Sequence, residues 1–312
     1  MGVTLLALAR FTLKGPYQAA VIVGLLAILA VFIVPVAGLS PLSLFLTLAT
    51  NLLAVVLVGL IILTQGLGPG IKVIASSAIA ASLLAWMVLK SPEAGISMVV
   101  LQWLPVIFLA LTLRSTNSLA LTLLAGILLG VVVIVLQGFF WTELEANWFA
   151  QLVQRGEGPQ LDDEQTRQLG QFVRLMMLLF PSSLYLMYML VILVARWMQA
   201  RLAESKGFGE EFCALTLGKP AALVAVIVVP LGFWLQQAWL LSFAFVVVIA
   251  FMFQGIAVVH SKLAPRRQSF LLLLLFYVLL VFAWQIAGIL TSITGIVDNW
   301  LVFRKRPENT TN

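Results

Sequence analysis

Cysteine and histidine are nearly missing from this 312-residue chain, which has one of each, Cys213 and His260. A single thiol forms no disulfide within the chain, and one Cys with one His cannot supply the ligand set of a zinc site. Charge is scarce as well: Asp, Glu, Lys and Arg make up 10% of residues, where a soluble domain carries about 25%. These deficits exclude a soluble enzyme, a disordered chain and a secreted disulfide scaffold. Catalytic signatures are also absent. The run from Gly66 to Lys72 lacks the Gly-Lys-Ser/Thr ending that sets a lysine and a magnesium-binding hydroxyl on phosphates, so no ATP hydrolysis is expected. Neither His-Glu-x-x-His nor Gly-x-Ser-x-Gly occurs, and no pair of acids within the spans can share a proton. The expectation is no enzyme, no metal and no cofactor.

What is present is apolar surface. Hydrophobic residues reach 62% and the mean hydropathy is +1.11, so the net charge of +6 does not describe a nucleic-acid binder. The composition predicts an all-α polytopic membrane protein, a single membrane domain over 1–312 whose main partner is the lipid bilayer. A spanning helix needs about 20 apolar residues, because lipid cannot satisfy backbone N–H and C=O groups. Residues 15–71 carry no charged side chain and are divided by Pro35, Gly38 and Pro41. Uncharged runs predict spans at 17–37, 42–64, 71–89, 96–113, 117–140, 173–196, 219–236, 238–260 and 268–297, a bundle of eight to nine helices. The first run is about 20 residues, longer than the roughly 7 to 15 of a signal peptide, and reads as an uncleaved span.

With a cytoplasmic N-terminus, eleven basic residues fall on the inner side, among them Arg10, Lys14, Arg114, Arg196 and Lys262, against Lys90, Arg155, Arg167 and Arg174 outside. The last segment, about 30 residues, would measure about 45 Å as one straight helix against a core of about 30 Å. It is either strongly tilted or breaks near Trp284 to Gly288 and turns back, which would keep Arg304, Lys305 and Arg306 in the cytoplasm.

Residues 141–172 form an acidic extracytoplasmic loop with Trp141, Trp148, Phe149 and Leu152 at helical spacing before Gly156-Glu157-Gly158-Pro159, and the stretch from Asp162 to Arg174 can open the next helix. The loop reads as an interfacial helix, with a gate over a substrate path as the alternative. Neutral amides enter the spans at Asn51, Gln102, Gln137, Gln236, Gln237, Gln254 and Gln285, either as glue between helices or as part of a pocket for a neutral or zwitterionic ligand. Gly126 and Gly130 make a Gly-x-x-x-Gly, and Ala20 with Gly24 a weaker pair; both permit close helix contact.

On the cytoplasmic side, Phe208, Phe212 and Leu215 at i, i+4 and i+7 predict an apolar stripe on a short helix, with Glu210 and Glu211 near its start and Cys213 buried within it. It is either an amphipathic connector or a coupling helix through which segment 207–217 docks other inner-membrane subunits.

Three motifs in the C-terminal half, 173–306, together resemble the YybS-like family of bacterial inner-membrane proteins. They are Ala195-Arg196-Trp197 to Gln199 with Gly207-Phe208, Glu211-Phe212 and Leu215; Gln254-Gly255-Ile256-Ala257-Val258-Val259-His260; and Gly295-Ile296-Val297-Asp298-Asn299-Trp300 leading to Phe303-Arg304. The chain departs from the family at Thr216, where a basic residue is common, and at Val302, where an acid is. The resemblance implies a membrane core similar to the substrate-binding S components of energy-coupling-factor transporters, a fold group that also resembles the rod-shape protein MreD. It marks Arg196, Trp197, Phe208, Glu211, Phe212, Gln254, His260, Asp298, Trp300 and Arg304 as candidate site residues. Asp298 and Arg304 are expected to pair or to anchor the last helix, with Trp300 and Phe303 at headgroup depth, and His260 to close its helix. Two functions follow: a small-molecule-binding transport component that relies on a separate ATP-driven module, or a non-transporting envelope scaffold.

Overall fold

The computed structural model describes residues 2–90, 97, 99–155, 162–205, 207–263, 269–301, 303 and 304. Among these residues every regular element is a helix. Helix α1 spans Gly2–Thr12 and α2 Pro16–Ala37. Helix α3 covers Pro41–Gln65; Ser40 caps it by accepting from the Ser43 N–H, while the Ser43 hydroxyl accepts from the Ser40 N–H. Gly66, at φ 87°, closes that helix through its N–H on Ile62 O and lets α4, Leu67–Leu89, begin at once. The start lies four residues before the one expected, because a left-handed glycine replaces a loop. A π-helical turn at Val99–Trp103 then leads into α5, Leu104–Thr116, and α6 follows at Leu119–Phe139.

Helix α7, Trp141–Arg155, matches the predicted interfacial segment, and the Gly156 to Pro159 break lies outside the described residues. Helix α8 runs from Asp163 to Leu202, 40 residues where about 24 were expected. Its extension starts at Asp162, whose carboxylate accepts from the Gln165 N–H while Gln165 Oε1 accepts from the Asp162 N–H. At about 1.5 Å per residue it measures about 60 Å, so its charged first turns project beyond an apolar layer of about 30 Å. Helix α9 is Gly207–Cys213, α10 Lys219–Leu235, α11 Ala238–Leu263, α12 Ser269–Phe282 and α13 Trp284–Leu301. Among the described residues seven helices are long and apolar enough to cross a membrane, or eight if α12 and α13 count as one bent span; α10, with 17 residues, is shorter. The chain is thus an all-helical multi-pass membrane protein.

The fold divides into two compact units, residues 1–122 with 188–211, and residues 123–187 with 212–312. In the first, the second half of α3 is buried on every side from Ala54 to Leu63. Gly59 makes this possible: a Cβ there would meet Val106 at 3.3 Å and Ala195 at 3.4 Å. In the second unit α11 and α13 approach more closely still. A Cβ on Gly255 would lie 1.9 Å from Thr291 O, and one on Gly295 2.1 Å from Phe251 O, so the two backbones touch. The Ser292 hydroxyl donates to Val248 O at 2.8 Å across the same seam. The tightest helix contact is therefore here rather than at Gly126 and Gly130, although a Cβ on Gly130 would also crowd Val246 at 3.1 Å.

Helices α12 and α13 meet at 118° about Ala283, one residue ahead of the expected break. Ser292 pairs with Val248 and Asp298 with Gln254, so α13 runs parallel to α11. Its far end reaches residues 213–217, just ahead of α10: Arg304 donates to the carbonyls of Cys213 and Leu215. The last segment turns back, and Arg304 lies at the same end of this unit as the start of α10.

Candidate functional site

Half of the candidate residues fall around the ends of α11 and α13. The Asp298 side chain is 5% exposed and that of Arg304 11%, and the two are paired. Arg304 reaches Asp298 Oδ2 through Nη2 and Oδ1 through Nε at 3.4 Å. Its remaining capacity goes to backbone: Nη1 donates to Cys213 O and Nη2 to Leu215 O at 2.8 Å. Gln254, fully buried, completes the knot. Its Nε2 donates to Asp298 Oδ2 at 3.1 Å, and its Oε1 accepts from the Leu217 N–H at 2.9 Å. A buried carboxylate in a dry interior is tolerable only when paired and hydrogen-bonded, and here both conditions hold.

Asn299 and Thr216, whose pairing the sequence does not signal, extend the network. Thr216 Oγ1 donates to Asn299 Oδ1 at 3.2 Å, and Asn299 Nδ2 donates to Gly295 O and Ile296 O at 3.0 Å. At position 216 the chain thus has a hydroxyl in a neutral hydrogen bond. Cys213 is half-buried beside the knot; burial pushes its thiol above the usual range, and the Arg304 charge partly offsets that.

Gln254 and His260 do not meet. His260 Nε2 lies 2.7 Å from the Tyr277 hydroxyl, and its ring stands edge-on to Phe212 at 5.6 Å between centroids. It ties α11 to α12. Leu215 lies beyond the end of α9 and is buried, so the predicted stripe is not a single helical face; its N–H bonds Phe212 O in a turn. Trp300 is 42% exposed on the outer face of α13, which fits a place in lipid or at headgroup depth. Val302, Lys305 and Arg306 lie outside the described residues.

The first unit holds the remaining candidates. Arg196 donates through Nε to Glu211 Oε2 at 3.0 Å and through Nη1 to Gln199 Oε1 at 2.8 Å; its Nη2 lies 2.9 Å from the same Glu211 oxygen. Gln199 Nε2 in turn donates to Leu63 O at 3.1 Å. Trp197 and Phe208 are half-buried. The knot and this pair share a logic: an arginine reaches from the end of a long helix to fix the segment that follows α8.

No family model, no curated protein and no solved structure matches this chain.

Among the described residues no three His, Cys, Asp or Glu side chains gather where a metal ion would bind. Of the amides in the spans, Gln137 acts as glue, its Nε2 donating to Met177 O at 2.7 Å, and Gln254 does the same within the knot. Asn51 Oδ1 and Gln102 Oε1 are buried and unpartnered. Helix α7 is pinned to α8 by Glu145 on Arg174 at 2.7 Å and by Trp148 edge-on to Phe180 at 5.5 Å. That anchoring fits an interfacial helix better than a swinging gate.

Proposed function

We propose that this chain is a transport component of the bacterial cytoplasmic membrane, its N-terminus inside, which binds a small molecule and works with a separate ATP-driven module through segment 207–217. The observation that supports this is how firmly the segment is held. Glu211 rests on Arg196, the carbonyls of Cys213 and Leu215 on Arg304, and the Leu217 N–H on Gln254, while Glu210 stays exposed. A surface ordered in advance loses less entropy on docking than a loose loop. The test is native mass spectrometry of the complex released gently from its own membrane, together with ATP-dependent uptake by cells. Recovery of a nucleotide-binding subunit, weakened by Glu210→Lys, is the expected result. Uptake and subunit recovery unchanged in Glu210→Lys would remove the docking role.

A second reading, a non-transporting envelope scaffold, has its own support. Asp298, Arg304 and Gln254 all bond to partners within the chain and the Asp298–Arg304 pair is nearly buried, which favours a structural role for the knot. A deletion strain with normal cell shape, envelope integrity and membrane-complex composition would count against it.

A further inference from the structure

A second arginine in the first unit has no carboxylate of its own. The C-terminal parts of three helices meet there: α3 at Leu63, α5 at Leu113 and Arg114, and α8 at Arg196 and Gln199. These residues and Asn117 line a cleft of about 120 Å³. Arg114 donates through Nη1 to Ile62 O at 3.3 Å and to Leu63 O at 2.7 Å, which satisfies the open end of α3. Its Nε and Nη2 have no hydrogen-bond partner among the described residues and lie along Gly66, where a Cβ would sit 3.5 Å from Nη2. No side chain at position 66 covers that edge. Arg196, across the cleft, is already neutralised by Glu211. The pair of guanidiniums with one carboxylate leaves a local excess of one positive charge.

We propose that Arg114 and Arg196 bind the phosphodiester group of an anionic phospholipid in this cleft. The planar guanidinium fork suits phosphate oxygens, which accept two N–H bonds side by side. The cleft is roomy enough to hold several waters, and so one phosphate group. The ends of membrane-crossing helices lie at headgroup depth, and basic pockets between such helices are where anionic headgroups settle. Leu63 and Leu113, both buried, close the back of the cleft. Nothing in this inference depends on the transport reading.

The probe is the full chain in mixed phosphatidylglycerol and phosphatidylethanolamine, with lipids retained on gentle activation counted by native mass spectrometry. The expected result is retention of phosphatidylglycerol about fivefold over phosphatidylethanolamine, falling to near parity in Arg114→Gln and partly restored in Arg114→Lys. Lys72→Gln removes an exposed cation outside the cleft and should leave the preference unchanged. Thermal unfolding of each variant in the same lipid confirms that the fold is retained. Equal retention of the two lipids by the unaltered chain, or an equal loss in Lys72→Gln and Arg114→Gln, would overturn the site. Millimolar inorganic phosphate, set against chloride of equal ionic strength, separates the two sources of the ligand group. Displacement of phosphatidylglycerol by phosphate assigns the cleft to free phosphate as well, and persistence assigns it to the lipid headgroup; either outcome keeps the guanidinium chemistry.

Discussion

Each unit carries one partly or wholly buried arginine–carboxylate pair, and the two pairs differ in how completely they are closed. In the second unit, Arg304 and Asp298 are 11% and 5% exposed, and the acid takes a further hydrogen bond from Gln254. In the first, Arg196 and Glu211 are 28% and 20% exposed, and Glu211 Oε1 is buried without a partner. The closed pair is turned inward and acts as a lock on residues 213–217. The open pair lies beside a cleft with a spare guanidinium. Similar pairs of residue types thus give a structural clasp in one unit and a candidate binding face in the other.

The contrast breaks most readily at Arg304. Its replacement by Ala leaves Asp298 charged in a nearly dry site, and removal of one partner of a buried pair costs about 3–5 kcal/mol. Arg196→Ala removes a pair that water already reaches and should cost roughly 1–2 kcal/mol. Thermal unfolding in one detergent compares them directly, and equal losses would erase the distinction. A double variant, Asp298→Leu with Arg304→Met, should recover much of the loss, since an apolar pair of similar volume carries no desolvation cost.

A smaller effect separates the two glycine seams. Gly255→Ala sets a methyl against the Thr291 carbonyl at 1.9 Å, and the backbones of α11 and α13 must part; overpacking of this kind costs about 1–3 kcal/mol or more. Gly59→Ala meets only side-chain methyl groups at 3.3 and 3.4 Å, and about 1 kcal/mol or less is expected. The same unfolding assay ranks them, and a larger loss at Gly59 would contradict the seam geometry.

The helices themselves were legible because lipid leaves the backbone no option but to close on itself, so uncharged runs, divided at prolines and glycines, mark them. Hydropathy alone finds only the apolar stretch of α8; its polar opening, capped by Asp162 and Gln165, is read from residue type. Asp298 and Arg304 were expected to pair or to anchor the last helix only as residues that the resemblance marks. Their burial was not, since it depends on Gln254 and on the carbonyls of Cys213 and Leu215, which are distant in the chain. Gly255 and Gly295 have the same difficulty. Gly255 is alone on α11 and Gly295 stands seven residues from Gly288 on α13, so only their mutual contact reveals a seam, whereas Gly126 and Gly130 announce a pattern on one helix. Arg114 was counted only as an inner positive charge, because the cleft forms when helix ends distant in sequence meet.

The smallest expected effect sharpens the comparison from the chemical side. Burial holds the Cys213 thiol above its usual range, and the Arg304 charge pulls it part of the way down. The thiolate is the reactive form, so alkylation by iodoacetamide at neutral pH should be slower than for a free thiol, whose pKa is about 8.5. The rate should climb through an alkaline midpoint above that reference. Arg304→Lys keeps the positive charge and should leave the midpoint near its original position, while Arg304→Gln removes it and should move the midpoint up. Arg196→Gln alters a charge that does not act on Cys213 and should move nothing. A midpoint that falls to the free-thiol value in Arg304→Gln would mean that the segment has come loose, and the lock would then be steric rather than electrostatic. A midpoint that shifts equally for Arg196→Gln and Arg304→Gln would mean that the thiol senses both arginines, and the closed pair would lose its claim to act on residues 213–217 alone.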